Sequence, residues 1–220
     1  MKPRIFIDPG HGGSDPGAAG PGIMEKDLNL LVARELATIL DLSKFEAALS
    51  RSDNKTTSLV SRTENSKRFN ADLFISIHHN GFNNPAANGY EIIYQLYREN
   101  DLSEKSFRFA YILNNEFGNT FFPALHSRGL KHRQNTAKGG EYFHVLRETD
   151  CPAIITECGF LTSPADITTL KNKDFPRKQA EAIKAAIELY YHKQENSKLI
   201  SFIAELKSVI AKYEQNLVSI

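Results

Sequence analysis

The chain has 220 residues, in which 27 basic residues nearly balance 26 acidic ones and 41% of the residues are hydrophobic. This length suits one full α/β domain with a short additional segment, and it is too short for two ordinary domains. Because the charges balance, the composition predicts neither a nucleic-acid partner nor an anionic membrane surface as a target. The function must therefore be sought in a local site.

Cysteine content and the start of the chain bear on the cellular compartment. Cys151 and Cys158 are too few for a disulfide framework and lack the CxxC spacing, so we expect two buried thiols in a protein made in a reducing compartment. A strand predicted from residue 4 leaves no room for a signal peptide. No apolar run approaches the roughly 20 residues that span a bilayer. We expect synthesis in the cytoplasm and no membrane span.

Apolar runs and helical periodicities alternate along the chain. In chain order, the patterns predict a strand at 4–8, a helix at 25–42, a strand at 44–51, a helix at 58–69, strands at 72–78 and 89–96, a helix at 103–117, strands at 142–146 and 152–157, and a helix at 175–192. The alternation predicts an α/β fold with a mixed, mostly parallel sheet of about six strands and helices on both faces.

The composition changes after Tyr191, which suggests a catalytic domain at 1–193 and a helical tail at 194–220. Apolar residues recur in the tail at alternating spacings of four and three: Leu199, Ile203, Leu206, Ile210, Tyr213 and Leu217. This spacing is typical of a coiled-coil seam, through which residues 199–217 would form a homo-oligomer. A final helix packed on its own domain is the alternative, because neighbouring apolar residues widen the stripe.

Three predicted strands end in residues that bind metals or transfer protons. These residues are His11, His78 and Glu157. Ligands bind outside the carboxyl ends of strands in open α/β sheets, so the three side chains can share one cleft. Glu25 opens the first helix, where an acidic residue also complements the helix dipole. Together with the two histidines it would complete a His, Glu, His set, a recurrent catalytic zinc arrangement with one open position.

The segment around His11 is rich in glycine and contains two aspartates. Glycines at this point would permit the close backbone approach that a compact metal site requires. Asp8 and Asp15 are candidates to orient an imidazole by accepting its second N–H. Turn formation is the alternative for both, and we prefer it for Asp15.

Six motifs in this order resemble the zinc-dependent N-acetylmuramoyl-L-alanine amidases of the amidase_3 type: IDPGHGGSDPGA, EKDLNL, LFISIHHN, GYEIIY, SRGLK and ITECGFLTSPAD. The resemblance covers roughly residues 3–192. It implies that His11, Glu25 and His78 bind Zn²⁺ and that Glu157 is the catalytic acid and base. The SIHHN register places the ligand at His78, whereas His79 occupies a position at which the family usually has a small residue.

Other residues near these motifs have two interpretations each. Asn80 and Arg128 are candidates to bind a carbonyl or carboxylate of the substrate, although Arg128 could equally hold its own loop. Cys158 could be a fourth ligand or a nucleophile, but its neighbour Glu157 would face the opposite way on a strand, so we favour a buried structural thiol.

The resemblance implies hydrolysis of the amide bond between N-acetylmuramic acid and L-alanine in peptidoglycan. We favour a lytic enzyme such as a phage or prophage endolysin, which would wait in the cytoplasm and reach the cell wall after release or through a holin. A bacterial autolysin or sporulation amidase is the first alternative, and a non-catalytic peptidoglycan-binding module is the second. Because residues 94–142 leave little room for the inserted helix that blocks some relatives, we expect constitutive activity.

Overall fold

The structure is a computed structural model that describes residues 1–96, 101–135 and 140–192. Its strands are β1 (Arg4–Pro9), β2 (Ala19–Gly20), β3 (Ile23–Met24), β4 (Glu46–Leu49), β5 (Leu73–Asn80), β6 (Tyr90–Tyr94), β7 (Ser127–Lys131) and β8 (Ala153–Phe160). Its helices are α1 (Glu25–Ile39), α2 (Leu59–Phe69), α3 (Leu102–Phe121), α4 (His144–Arg147) and α5 (Ile167–Leu170). A further helix, α6, covers residues 175–192.

The chain divides into two compact units, Met1–Ala186 and Ile187–Ile220. The first unit holds the sheet, and residues 187–192 of the second are helical. The predicted tail at 194–220, with its apolar seam, lies outside the described residues. Across the ranges that the structure describes, no helix combines the length and the apolar character needed to cross a membrane.

Six strands form the main sheet in the order β4-β1-β5-β8-β6-β7. All neighbouring strands run parallel except β6 and β8, which are antiparallel. The predicted α/β fold with a mixed, mostly parallel sheet is therefore confirmed. Strands β1, β5 and β8 have near-continuous apolar sequences because both faces of the sheet are covered.

Helices cover the sheet on both faces, and the alternation of side chains along each strand decides which residues meet which helix. Phe6 and Phe74 stack at 5.6 Å between ring centroids and pack on one face with Phe69 of α2 and Leu146 of α4. Helix α1 packs on β1 and β5 from the other face. Its apolar stripe there is fully buried, with Val32 at 0% exposure. This packing fixes the start of α1 near the carboxyl ends of the central strands.

One predicted strand is wrong, and one observed strand of the main sheet was not predicted. The strand predicted at 142–146 is wrong, because this segment leads into α4, whose Val145 and Leu146 are buried. A short apolar run has no periodicity that separates a strand from a helix. The sixth strand is instead β7, which pairs with β6 at the sheet edge. Its SRGLK sequence is largely exposed and lacks the apolar pattern of a strand.

Candidate metal centre

The structure brings His11, Glu25 and His78 together at the carboxyl edge of the sheet. His11 follows β1, His78 lies near the end of β5, and Glu25 is the first residue of α1. Each side chain offers one ligand atom, and these atoms lie within 4.8 Å of one another. The elements that carry them meet because α1 packs on the two central strands, which places its first turn at the ends of those strands.

Glu25 lies between the two imidazoles. Its Oε2 is 3.1 Å from Nε2 of His11, and its Oε1 is 2.8 Å from Nδ1 of His78. The two imidazole rings meet edge to face, with their centroids 4.9 Å apart. Two imidazole nitrogens and a carboxylate oxygen are a donor set that zinc takes in catalytic sites. The residues present therefore fit a zinc ion.

Backbone groups hold the Glu25 carboxylate in place. The amide of Ala18 donates to Oε2 at 2.8 Å, and the amide of His79 donates to Oε1 at 3.2 Å. Burial alone would raise the pKa of Glu25, but hydrogen bonds to His11 and His78 and their charges hold it well below its usual range. These interactions therefore favour the ionised carboxylate, which is the form that binds a metal.

Asp15 contacts the other nitrogen of the His11 ring, with Oδ2 at 2.8 Å from Nδ1. A carboxylate only accepts hydrogen bonds, so Nδ1 donates a proton to Asp15, and Nε2, which faces Glu25, is the nitrogen that would bind a metal ion. His11 itself has the left-handed φ of 59°, which turns its ring back toward Asp15. The expected turn role of Asp15 is also present, because its Oδ1 accepts a hydrogen bond from the amide of Gly17 at 3.1 Å. Asp15 therefore forms the turn with one oxygen and contacts the imidazole with the other.

Asp8 is buried away from the imidazoles. Its carboxylate accepts hydrogen bonds from Arg62 Nη1 at 2.5 Å, from Ser50 Oγ at 2.5 Å and from Ser76 Oγ at 2.7 Å. These contacts tie the end of β1 to its neighbours. Of the two aspartates considered, Asp8 is the structural one.

Two buried arginines hold the loop that carries His11. Arg62 donates to the carbonyls of Pro9 and His11, each at 2.7 Å. Arg51 donates to the carbonyl of Gly10 at 2.8 Å and is 1% exposed. Neither arginine could be recognised from the sequence as a residue of the site, because a lone charged residue in a polar stretch gives no sign that it is buried. Their contacts supply hydrogen-bond donors to the backbone carbonyls of this loop.

Two glycines permit the close packing of the centre, as expected. A Cβ on Gly10 would lie 2.1 Å from Nε2 of His78, and a Cβ on Gly17 would lie 2.4 Å from Oε2 of Glu25. Neither distance is possible between non-bonded atoms. Gly17 also has a positive φ of 64°. Both positions therefore require glycine.

Glu157 lies in β8, directly opposite His78 of β5. It lines an open cleft of about 460 Å³ together with the three candidate ligands and Asn80. Its Oε2 is buried and has no hydrogen-bond partner among the residues that the structure describes. Burial, followed by the negative charges of Glu25 and Glu91, raises the pKa of Glu157 well above its usual range. A raised pKa makes the carboxyl group a better proton acceptor when it is ionised than an exposed glutamate would be.

His79 is among the residues that line the cleft, but its side chain is fully buried. Its buried ring lies between α1 and α6, with Nδ1 2.7 Å from Asn29 Oδ1 and Nε2 2.9 Å from Gln179 Oε1. Burial lowers its pKa to about 4, so the ring is neutral. The geometry agrees with the assignment of the ligand position to His78. Neither Asn29 nor Gln179 could be recognised from the sequence as a partner of His79.

The two candidate substrate-binding residues are linked through Glu91 of β6. Asn80 donates from Nδ2 to Glu91 Oε1 at 3.2 Å, and Arg128 of β7 donates from Nε to Glu91 Oε2 at 2.8 Å. The Arg128 guanidinium also lies over the Phe160 ring, 4.9 Å from its centroid. Arg128 therefore has a structural contact and is not among the residues that line the cleft, whereas Asn80 is.

Cys158 is fully buried, as expected for a structural thiol. Burial, followed by the charges of Asp166 and Glu157, raises the pKa of its thiol well above the usual range. A protonated buried thiol is a poor nucleophile and a poor metal ligand. The chemistry of the cleft therefore belongs to the histidines and glutamates.

A His, Glu, His donor set beside a buried glutamate is the arrangement of metal-dependent hydrolases. Residues 5–189 match the Amidase_3 family model, described as N-acetylmuramoyl-L-alanine amidase. The chain belongs to this family. Its activity is hydrolysis of the amide bond between N-acetylmuramic acid and L-alanine in peptidoglycan. The resemblance found in the sequence motifs is thereby confirmed.

Several relatives support this membership. The sporulation-specific N-acetylmuramoyl-L-alanine amidase of Bacillus subtilis (strain 168) is 34% identical over 199 residues, which are 88% of this chain and 70% of that protein. The endolysin of Bacillus phage SPP1 is 31% identical over 82% of this chain and 63% of its own length. The solved structure of the amidase AmiC2 of Nostoc punctiforme has a TM-score of 0.76 and 31% identity, and it covers 87% of this chain and 98% of its own.

Proposed function

We propose that His11, Glu25 and His78 hold a zinc ion and that Glu157 transfers the protons in amide hydrolysis. The observation that carries the proposal is the convergence of three ligand atoms within 4.8 Å, in the cleft that Glu157 also lines. A zinc ion held there supplies Lewis-acid polarisation of the scissile carbonyl and eases the loss of a proton from water near neutral pH.

Glu157 performs both proton transfers in this proposal. In its ionised form it takes a proton from the water that attacks the carbonyl carbon between N-acetylmuramic acid and L-alanine. It then gives this proton to the alanine nitrogen as the carbon–nitrogen bond breaks, because an amide anion is a poor leaving group. The raised pKa of Glu157 suits a group that must first take up a proton and then donate it.

Asn80 and Arg128 bind the substrate in this proposal. Asn80 lines the cleft, where its amide can donate to a carbonyl oxygen of the peptide stem. The Arg128 guanidinium retains N–H groups beyond the one that bonds Glu91, and its planar fork suits a carboxylate of the stem. The two residues therefore favour a substrate whose peptide part extends from Asn80 toward β7.

We further propose that the protein is a lytic enzyme of the endolysin kind, which is made in the cytoplasm and acts on the wall after release or through a holin. Similarity to the phage SPP1 endolysin supports this setting. Similarity to a sporulation-specific amidase supports the alternative of a bacterial enzyme with a role in sporulation. Expression during prophage induction, compared with expression during sporulation, would separate the two.

The tail at 194–220 is proposed as a segment separate from the catalytic domain at 1–193, with self-association through residues 199–217. The alternating spacing of its apolar residues supports this proposal. Light scattering tests it. Truncation after Lys193 should lower the mass from that of an oligomer to that of a monomer, and a full-length chain that is already monomeric would contradict it.

Mass spectrometry of digested peptidoglycan tests the proposed reaction. Wild-type protein should release free stem peptides that begin with L-alanine, chelation should abolish the release, and added zinc should restore it. Release of disaccharide fragments or of peptides cut elsewhere would contradict the proposal. Release that continues at the same rate in chelator would contradict the role of zinc.

A further inference from the structure

Glu91 is a charged residue that neighbours two residues of the cleft, Glu157 and Asn80. It lies in β6, directly opposite Glu157 in the antiparallel pairing of β6 with β8. Directly opposed residues of neighbouring strands place their side chains on the same face of the sheet. The carboxylates of Glu91 and Glu157 therefore lie side by side.

The carboxylate of Glu91 joins two other strands. Its Oε1 accepts a hydrogen bond from Asn80 at the end of β5, and its Oε2 accepts one from Arg128 of β7. The Glu91 side chain is 16% exposed, so these contacts are largely shielded from solvent. One carboxylate thus fixes the two residues that the proposed function assigns to the substrate.

Only a carboxylate can make both contacts. Asn80 Nδ2 and Arg128 Nε are both donors, and a carboxylate accepts at each of its two oxygens. A glutamine would accept at one oxygen and would turn its own NH₂ group toward the second donor. The pair of contacts therefore needs a negative charge at Glu91.

That negative charge lies beside a second carboxyl group, which is unfavourable unless a cation compensates for it. Arg128 supplies the cation through its ion pair with Glu91 at 2.8 Å. Burial is the largest cause of the raised pKa of Glu157, and the charge of Glu91 adds to that of Glu25. An arrangement that only stabilised the sheet would not need to place an acidic residue next to Glu157.

We propose that Glu91 is a positioning residue for amide hydrolysis, which holds the amide of Asn80 and the guanidinium of Arg128 at the side of Glu157 where the peptide stem binds. The inference rests on the proposed function, because it takes Asn80 and Arg128 as substrate-binding groups. Glu91 itself touches no reacting atom, and it acts through these two residues.

The test compares Glu91→Gln with Glu46→Gln on a soluble muramoyl-peptide fragment. Glu46 makes an ion pair with Arg4 at the far edge of the sheet, so its substitution removes a similar pair without touching the cleft. Glu91→Gln should raise KM and lower kcat/KM by about tenfold to a hundredfold, as expected when substrate-binding groups are misplaced. Its zinc content should equal that of wild type. Kinetic constants of Glu91→Gln equal to those of Glu46→Gln would overturn the inference.

A double-mutant cycle separates positioning from general stability. If Glu91 acts through Arg128, the effect of Glu91→Gln on kcat/KM should largely disappear in an Arg128→Gln background. Glu91→Asp keeps both acceptor oxygens and should recover part of kcat/KM. Positioning would be contradicted if the two substitutions lowered kcat/KM by independent factors that multiply. It would also be contradicted if the loss of activity followed only the unfolded fraction in a thermal melt.

Failure of this inference is distinguishable from failure of the proposed function. A wild-type chain that does not cleave the muramoyl-peptide fragment contradicts the proposed function. An active wild type whose kinetics are unchanged by Glu91→Gln contradicts only the role of Glu91.

Discussion

Glu25 and His78 approach to 2.8 Å, between Oε1 and Nδ1, although 53 residues separate them in the chain. One residue begins a helix and the other lies near the end of a central strand, so their contact exists only after α1 has packed on the sheet. His11 completes the cluster from the loop after β1. Formation of the candidate metal centre is therefore coupled to folding, and zinc should stabilise the folded chain.

Asp15→Asn should weaken zinc binding by about tenfold to a hundredfold, which is the usual cost of losing a residue that orients a metal ligand. The reason is the loss of the carboxylate that accepts the Nδ1 proton of His11. Competition with a chelator of known affinity measures the change. Asp27→Asn is the matched control, because Asp27 is exposed in the first turn of α1. Equal zinc affinity in the two variants would show that Asp15 does not orient the ring.

Gly10→Ala should lose zinc affinity and destabilise the fold by about 1–3 kcal/mol, as overpacking usually does. The added Cβ would lie 2.1 Å from the His78 ring, so the ring or the loop must move. Gly118→Ala in α3 is the control, because its Cβ would meet only the Tyr90 hydroxyl at 3.3 Å and alanine favours a helix. Chemical denaturation and zinc titration of both variants provide the comparison. A Gly10→Ala protein that binds zinc as wild type does would refute the close-approach argument.

Glu157→Gln should lower kcat by about 10²- to 10⁴-fold, the usual contribution of a positioned proton-transfer group, without loss of zinc. The rate of stem-peptide release and the zinc content measure the two effects. A variant that retains the wild-type rate would remove Glu157 from the mechanism.

The same substitution has a stability effect with a definite sign. Folding raises the pKa of Glu157, so the folded chain holds this proton more tightly than the unfolded chain, whose glutamate has a pKa of about 4.3. Glu157 therefore makes a favourable contribution to the free energy of unfolding below the pKa of the unfolded chain. This contribution is lost as the pH rises through the pKa of the folded chain. In chelator, Glu157→Gln should be more stable than wild type at pH 8 and should lose this advantage near pH 4. The opposite order would contradict the raised pKa.

His79→Gln should reduce the sensitivity of the fold to acid. Burial lowers the pKa of His79 to about 4 in the folded chain. As the pH falls below about 6.5, the His79 ring therefore takes up a proton in the unfolded chain but not yet in the folded chain. Between those two pH values, this proton uptake should lower the free energy of unfolding of wild type by about 3 kcal/mol. The variant should be less stable than wild type at pH 7, with a gap that narrows toward pH 4. Urea denaturation in chelator measures the gap, and a constant difference across this range would contradict the lowered pKa.

The fold and the candidate ligands could be predicted because their signals are local. Strands β1, β5 and β8 are covered on both faces, so each is a continuous apolar run. His11, His78 and Glu157 follow from the ends of these runs and from a rule about where ligands bind in α/β sheets. An edge strand such as β7 lacks this signal because most of its residues are exposed.

The contacts that orient the ligands could not be predicted, because they depend on the folded positions of polar residues. Asp15 has the sequence context of an ordinary turn, and only the left-handed backbone of His11 brings the ring to it. Arg51 and Arg62 bond carbonyls about 40 to 50 residues away, a separation at which no sequence periodicity operates. Glu91 lies beside Glu157 because β6 pairs with β8, and the spacing of motifs along the chain does not predict which strands pair.

Zinc content, measured by mass spectrometry of the metal after exhaustive dialysis, tests the central claim most directly. Wild-type protein and Glu157→Gln should each retain one zinc ion per chain, whereas Glu25→Gln should retain none, because the carboxylate that bridges the two imidazoles is the one removed. A Glu25→Gln protein that keeps one zinc ion per chain, or a wild-type protein that cleaves peptidoglycan at full rate without zinc, would contradict the account.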